Sequence, residues 1–230
     1  MTIPMTPPDF IPKQNSDLWL KARSGKVTAS RFKDISMSKA GYGFGEAAKS
    51  YCFEIVGQRF RLEDPNWVPE PSLKIHAIEH GNTWEPFARA SYAWLTGANV
   101  VPYGFVEHPR IAGVGGSPDG VIADEPGIIE IKCPAVKEHV RLMATGTVPK
   151  TYIPQVQGNL AITGREWCDF VSHYPFVSEE LMTHVVRVYR DDKYIEKLEA
   201  RLERFGEFID QTERVIRDGD RKQPGTMGQG

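Results

Sequence analysis

Cysteine is scarce in this chain: Cys52, Cys133 and Cys168 are the whole supply. An odd number without a close-spaced pair argues against a disulfide framework and against a zinc site. Cys133, next to Lys132, reads as a small buried residue rather than a nucleophile. No apolar run is long enough to span a bilayer. Met1 to Lys13 is proline-rich and lacks the apolar stretch of a signal peptide. The expectation is a cytoplasmic protein without membrane contact. Neither sign of charge dominates, with a net of −2, so the chain is not a globally basic nucleic-acid binder. That does not exclude DNA, because a metal-holding site is acidic at its centre and basic groups need only line the phosphate path. Gly-x-Ser-x-Gly, a Walker loop and His-Glu-x-x-His are all missing, and the histidines are scattered. There is no internal repeat.

What is present fits a soluble α/β domain over residues 15–217, with a flexible arm at 1–14 and a disordered, glycine-rich tail at 218–230. Ser16 is placed to cap a short helix holding Leu18, Trp19 and Leu20, and Thr28 a second from Ala29 to about Ser36. Lys39 to Gly45 reads as a mobile loop. A helix from Glu46 to about Phe60 follows, then a loop at 63–71 with three prolines. A longer helix spans about 73–95, and Pro86 is expected to split or kink it. Strands are expected at 100–106, 111–114, 118–123 and 127–132, then helices at 136–145 and 152–162 and strands at 168–174 and 183–189. A last helix, about 192–217, carries an apolar stripe of Ile195, Leu198, Leu202, Phe205, Ile209 and Ile216. This order predicts a mixed central β-sheet flanked by helices.

The chemistry concentrates in Ser117-Pro118-Asp119 and Glu130-Ile131-Lys132. Asp119 ends one extended segment. Glu130 and Lys132 lie two apart on the next, so they face one site while Ile131 faces the core. A hairpin through Asp124-Glu125-Pro126-Gly127 would bring Asp119 to that site. Two carboxylates suit a hard cation such as Mg²⁺. The lysine can position or deprotonate a water, or neutralise charge on a phosphate. A metal-dependent nuclease needs this set, although an ordinary edge strand alternates charge in a similar way.

Other residues depend on position. Glu85, alone, reads as surface charge; on a helix under the sheet it becomes a third carboxylate. Gln155 can hydrogen-bond a water or a phosphate oxygen, or be a solvated helix residue. Arg23 and Ser30 flank a helix start and can bind a phosphate, or Ser30 can merely be part of the cap. Gly113-Val114-Gly115-Gly116 resembles a phosphate cradle but precedes a strand.

The set as a whole resembles the lambda exonuclease family, the phage-type recombination exonucleases of the PD-(D/E)xK nuclease superfamily. The residues that carry the likeness are Trp19-Leu20-Lys21-Ala22-Arg23, Val27-Thr28-Ala29-Ser30 and Gly81-Asn82-Thr83-Trp84-Glu85. Ser117-Pro118-Asp119-Gly120, Glu130-Ile131-Lys132-Cys133-Pro134 and Tyr152 with Gln155-Val156-Gln157 continue it. The resemblance implies a restriction-endonuclease-like core and a phage or prophage protein. It implies 5′ to 3′ digestion of linear double-stranded DNA, with mononucleotides released and a 3′ overhang left. It implies two Mg²⁺ ions, with Mn²⁺ as a substitute, held by Asp119, Glu130 and Glu85. Lys132 would be the catalytic lysine, and Gln155 would complete the site. Arg23, Ser30 and Ser117 would bind the 5′-phosphate, and Ile78 would be an apolar wedge at the end base pair. A homotrimeric ring and a single-strand-annealing recombinase partner are further implications. Pro86 beside Glu85 and the proline-rich 61–72 loop depart from the family pattern.

Rival readings are a PD-(D/E)xK endonuclease, a RecB/Cas4-like repair nuclease and an inactive DNA-end-binding module. Against the second, Gln155 is followed four residues on by Asn159 rather than tyrosine. Three cysteines also cannot supply a four-cysteine cluster.

Overall fold

The computed structural model describes residues 14, 16–36, 43–64, 67 and 76–220, without the side chains of 76–80, 82 and 220. The arm at 1–13, most of the Lys39–Gly45 loop, nearly all of 65–75, the Ile78 side chain and the tail beyond 220 lie outside the described residues.

The described chain contains seven α-helices and eight strands. Helix α1 (Asp17–Arg23) starts at Ser16, whose hydroxyl accepts from the Trp19 N–H. Strand β1 (Val27–Thr28) runs into a 3-10 turn (Ala29–Arg31) and α2 (Phe32–Ser36). Thr28 does not cap this turn through its side chain. Its hydroxyl is within hydrogen-bonding distance of the Tyr51 hydroxyl at 3.2 Å instead. Next come α3 (Glu46–Leu62) and α4 (His76–Thr96). Pro86 lies inside an unbroken α4, so the expected split does not occur. Ala88 and Tyr92, both buried against the sheet, anchor the helix beyond the missing N–H.

The expected 100–106 strand is two short ones, β2 (Val100–Val101) and β3 (Val106–Glu107), in different sheets. Pro102 and Gly104 interrupt the ladder between them. The expected 111–114 strand begins later, as β4 (Val114–Gly116), followed by β5 (Gly120–Ile122) and β6 (Gly127–Lys132). The Gly113–Gly116 run is therefore mostly paired strand and not a phosphate loop. Helices α5 (Val136–Thr145) and α6 (Ile153–Thr163) follow, then β7 (Trp167–His173), β8 (Thr183–Tyr189) and α7 (Asp192–Asp220).

The main sheet has the order β2-β5-β6-β7-β8, with β6 and β7 parallel and the other pairs antiparallel. The parallel pair needs a crossover, which α5 and α6 supply. A smaller sheet, β1-β4-β3, lies apart from it in pairing. Period-two alternation divides β6 between two apolar clusters. Ile129 and Ile131 pack with Ala88 and Tyr92 of α4, whereas Ile128 packs with Val156 and Leu160 of α6. Glu130 shares the Ile128 side and so points toward α6. A third cluster joins α2, α3 and the small sheet to Leu198, Leu202, Phe205 and Ile209 of α7. Ile216, expected in that stripe, is 45 % exposed because α7 has by then outrun the core.

Candidate active site

Asp119 stands immediately before β5 rather than ending a strand. Its N–H donates to the Ile129 carbonyl, and its Oδ2 accepts from the Ile131 N–H at 2.6 Å. These bonds fix the carboxylate to the edge of β6. The β5–β6 hairpin is antiparallel, as the turn residues predicted. Ile131 is buried on the α4 side, while Glu130 and Lys132 occupy the other.

Glu130 is 1 % exposed and satisfied by three donors. Lys132 Nζ lies 2.5 Å from Oε1, Gln155 Nε2 donates to the same oxygen at 2.6 Å, and Asn159 Nδ2 donates to Oε2 at 3.1 Å. Charge-assisted bonds of this kind favour an ionised carboxylate. Burial acts the other way and, with Asp119 and Glu85 nearby, pushes the Glu130 pKa up to about 7. Burial also opposes the charge on Lys132, but Glu130 and Asp119 outweigh it, and its pKa is raised. Lys132 lies over the Tyr152 ring, 5.4 Å from its centroid.

Glu85 comes to the cleft from α4. Arg89, one turn on, donates to Glu85 Oε1 at 2.5 Å and to the Asp119 carbonyl at 3.1 Å. Burial and the Asp119 carboxylate raise the Glu85 pKa to about 7 against the pull of Arg89 and Lys132. Burial first, then the same carboxylates, lift the Cys133 thiol to about 11, so at neutral pH it is no nucleophile.

Glu85, Asp119, Glu130, Lys132, Cys133 and Gln155 share one cleft of about 1360 Å³ with Arg23, Ser30 and Ser117. The Trp19 indole donates to Ser117 Oγ at 3.0 Å, and the Arg23 guanidinium stacks on the Trp19 ring at 4.1 Å. Burial lowers the Arg23 pKa, and among the described residues Arg23 forms no ion pair. Ser30, in the 3-10 turn, is exposed and 3.4 Å from Thr28 Oγ1.

Among the described residues, no three histidine, cysteine or carboxylate side chains are already drawn together as a metal shell. Glu130 is closed on Lys132 and Gln155, and Glu85 on Arg89. The donor chemistry still suits a hard divalent cation: the Asp119 carboxylate helps to raise the pKa of both Glu85 and Glu130 in the same cleft, a repulsion such a cation relieves.

Asn159, Arg89 and Trp19 were given no role from sequence. Asn159 is one helical turn beyond Gln155, and Arg89 one turn beyond Glu85, so i,i+4 spacing was an available signal. Nothing local marks Trp19 as the support of Ser117. Gly116 is needed here, because a Cβ there would lie 2.3 Å from Asn159 Oδ1.

Residues 18–166, more than half of the chain, match the YqaJ-like viral recombinase domain. This chain belongs to that family. The YqaJ-like chain is also similar to an alkaline exonuclease, LHK-Exo from Laribacter hongkongensis. The two are 35 % identical with a TM-score of 0.80, over 91 % of this chain and 100 % of that one. The complex of LHK-Exo with dAMP gives 34 % identity and a TM-score of 0.81, with the same coverage. A phage related exonuclease from Haemophilus somnus 129PT, 17 % identical, has the same fold, with a TM-score of 0.62 over 83 % of this chain and 96 % of that one. Comparison with curated proteins gives no match. The mixed sheet flanked by helices is thus the PD-(D/E)xK nuclease type, in an exonuclease family of the viral recombinase kind. Among the described residues no helix is long and apolar enough to cross a membrane.

Proposed function

We propose that this protein is a Mg²⁺-dependent exonuclease that digests linear double-stranded DNA from 5′ to 3′. It releases 5′-mononucleotides and leaves a 3′ single-stranded overhang. One observation carries the reading. A single cleft holds three carboxylates and a lysine together with an arginine that has no ion pair among the described residues. The first group suits a scissile phosphodiester and the second a terminal phosphate.

Asp119, Glu130 and Glu85 would hold one or two Mg²⁺, with Mn²⁺ as a substitute. Bound there, the ions supply Lewis-acid stabilisation of the attacking and leaving oxygens. The chain's own groups do the remaining work. Lys132, with its raised pKa, keeps its proton and neutralises charge building on the scissile phosphate. Gln155 and Asn159 orient Glu130, and the Gln155 amide faces the cleft where an attacking water would sit. Arg23, Ser30 and Ser117 bind the 5′-phosphate, with Trp19 holding both Arg23 and Ser117. Ile78 would wedge the end base pair. The reading includes a ring of three subunits around the DNA and an annealing partner that receives the exposed strand. LHK-Exo, 34 % identical, has been crystallised with dAMP, a mononucleotide of the kind this reaction releases.

The test is digestion of linear duplex labelled at one 5′ or one 3′ end, with and without Mg²⁺, beside a closed circle. Early release of 5′-labelled mononucleotide, dependent on Mg²⁺ and with the circle intact, is expected. A nicked circle would place the protein among endonucleases, and no cleavage with Mg²⁺ or Mn²⁺ would leave only end binding.

A further inference from the structure

The exonuclease reading uses the charged part of the cleft and leaves an aromatic part unexplained. Tyr174 and Phe176 also line the cleft. They lie in the connection between β7 and β8, where the Tyr174 N–H donates to the Met182 carbonyl at 2.8 Å. Tyr174 rests near His139, with ring centroids 6.2 Å apart. Phe176 meets Tyr174 and Trp84 in near-perpendicular contacts, each 5.5 Å between centroids. Trp84 in turn contacts Phe87 of the same helix at 5.4 Å. The ring of Phe176 is thus held in orientation by two neighbours, yet the residue is 65 % exposed. Phe176, Trp84 and the 59 % exposed Phe87 together make a contiguous aromatic patch beside the cleft, the kind of surface that binds a partner.

The occupant follows from the rest of the cleft. Phosphate-directed groups lie at Lys132 and Arg23, and a nucleotide that places its phosphates there must also place a base. Aromatic faces accept any base by stacking. We propose that Phe176, supported by Tyr174 and Trp84, is a stacking platform for a nucleobase flanking the scissile phosphate. This rests on the exonuclease reading and adds a base contact to its phosphate contacts. Stacking carries no sequence code, which suits an enzyme that must accept every nucleotide in turn.

The test uses the full chain and 5′-phosphorylated duplex ends, with binding measured in Ca²⁺ without Mg²⁺ and digestion measured in Mg²⁺. A second duplex carries abasic residues at its first two 5′ positions. Phe176→Ala is expected to weaken binding to the normal end by about tenfold, the size of one base–aromatic stack. It should raise KM by a similar factor while kcat stays within about twofold. Against the abasic end the variant should bind as the parent does, and Phe176→Trp should keep parental affinity for the normal end. Equal losses on both ends, or no loss on either, would overturn the platform while leaving the exonuclease reading intact. A change in solution mass in Phe176→Ala would reassign the residue to subunit contact and also overturn it. A parent chain that neither binds nor cuts ends would overturn both readings.

Discussion

Glu130 and Arg23 line one cleft and carry opposite charge, and their surroundings are built in opposite ways. Every side of the Glu130 carboxylate is met, by Lys132, Gln155 and Asn159. Arg23 stacks on Trp19 and has no ion pair among the described residues. The Glu130 end is therefore satisfied without a ligand and, on the proposed reading, would exchange protein contacts for a cation. The Arg23 end holds a charge with no ion pair among the described residues and, on the proposed reading, would be completed by an anion. The difference predicts that removing a donor from Glu130 strikes rate and stability together, whereas damage at Arg23 strikes end recognition alone.

The largest effect should come from breaking the Glu130 end at its cation. On the proposed reading, Lys132→Ala removes the charge that would face the phosphate and should lower kcat by about a thousandfold or more, on the scale of losing a principal electrostatic donor. Asp119→Ala should do the same. Circular dichroism should show both variants folded, and retention of more than about a tenth of parental kcat would remove the assigned role.

Asn159→Ala sharpens the comparison at the next scale. It strips one donor from a carboxylate that is almost fully buried, a loss of about 1–3 kcal/mol. The melting temperature of the metal-free protein should fall, and kcat should fall about tenfold or more if Glu130 loses its orientation. Arg23→Ala is the contrasting case. It should leave the melting temperature within a degree or two while erasing the preference for 5′-phosphorylated over 5′-hydroxyl ends, a loss of about tenfold, comparable to one charge-assisted contact. Equal rates of the intact enzyme on the two ends would deny Arg23 that role.

Legibility in the sequence followed the range of the forces involved. The β6 residues were readable because strand alternation is local: Glu130 and Lys132 two apart, with Ile131 between them in the core. The hairpin that delivers Asp119 was readable from Pro126-Gly127. Less legible was the fate of Pro86, because the packing of Ala88 and Tyr92 that carries α4 past it is tertiary. The short strands of 100–116 divide between two sheets, and no local pattern announces which sheet a two-residue strand will join. Asn159 was visible as a departure from a tyrosine motif, but its role depends on facing a buried carboxylate. Trp19 holding Ser117 links residues 98 apart, a contact that only the folded chain reveals.

The smallest effect tests the Glu130 end without substrate. Glu130 and Glu85 have folded pKa values of about 7 against an ordinary 4.5. The folded protein therefore binds protons more tightly than the unfolded chain at these sites. Their stabilising contribution is complete below about pH 4.5 and is lost as pH rises through 7. Lys132, shifted upward from 10.5, contributes a constant amount across that window. His108, His173 and His184 have lowered values, so their contribution grows with pH and opposes the trend. The difference between the parent and Glu130→Gln cancels the histidines. In the presence of a chelator, that variant should gain a few degrees in melting temperature relative to the parent between pH 5 and 8, roughly the shift expected for 1 kcal/mol. Adding Mg²⁺ should stabilise the parent more at pH 8 than at pH 5, and Glu130→Gln less at both, because the ion competes with the same protons. A parent and variant that run parallel across the range would show that the crowding of carboxylates in this cleft costs the fold nothing, and the contrast with Arg23 would then lie in ligand binding alone.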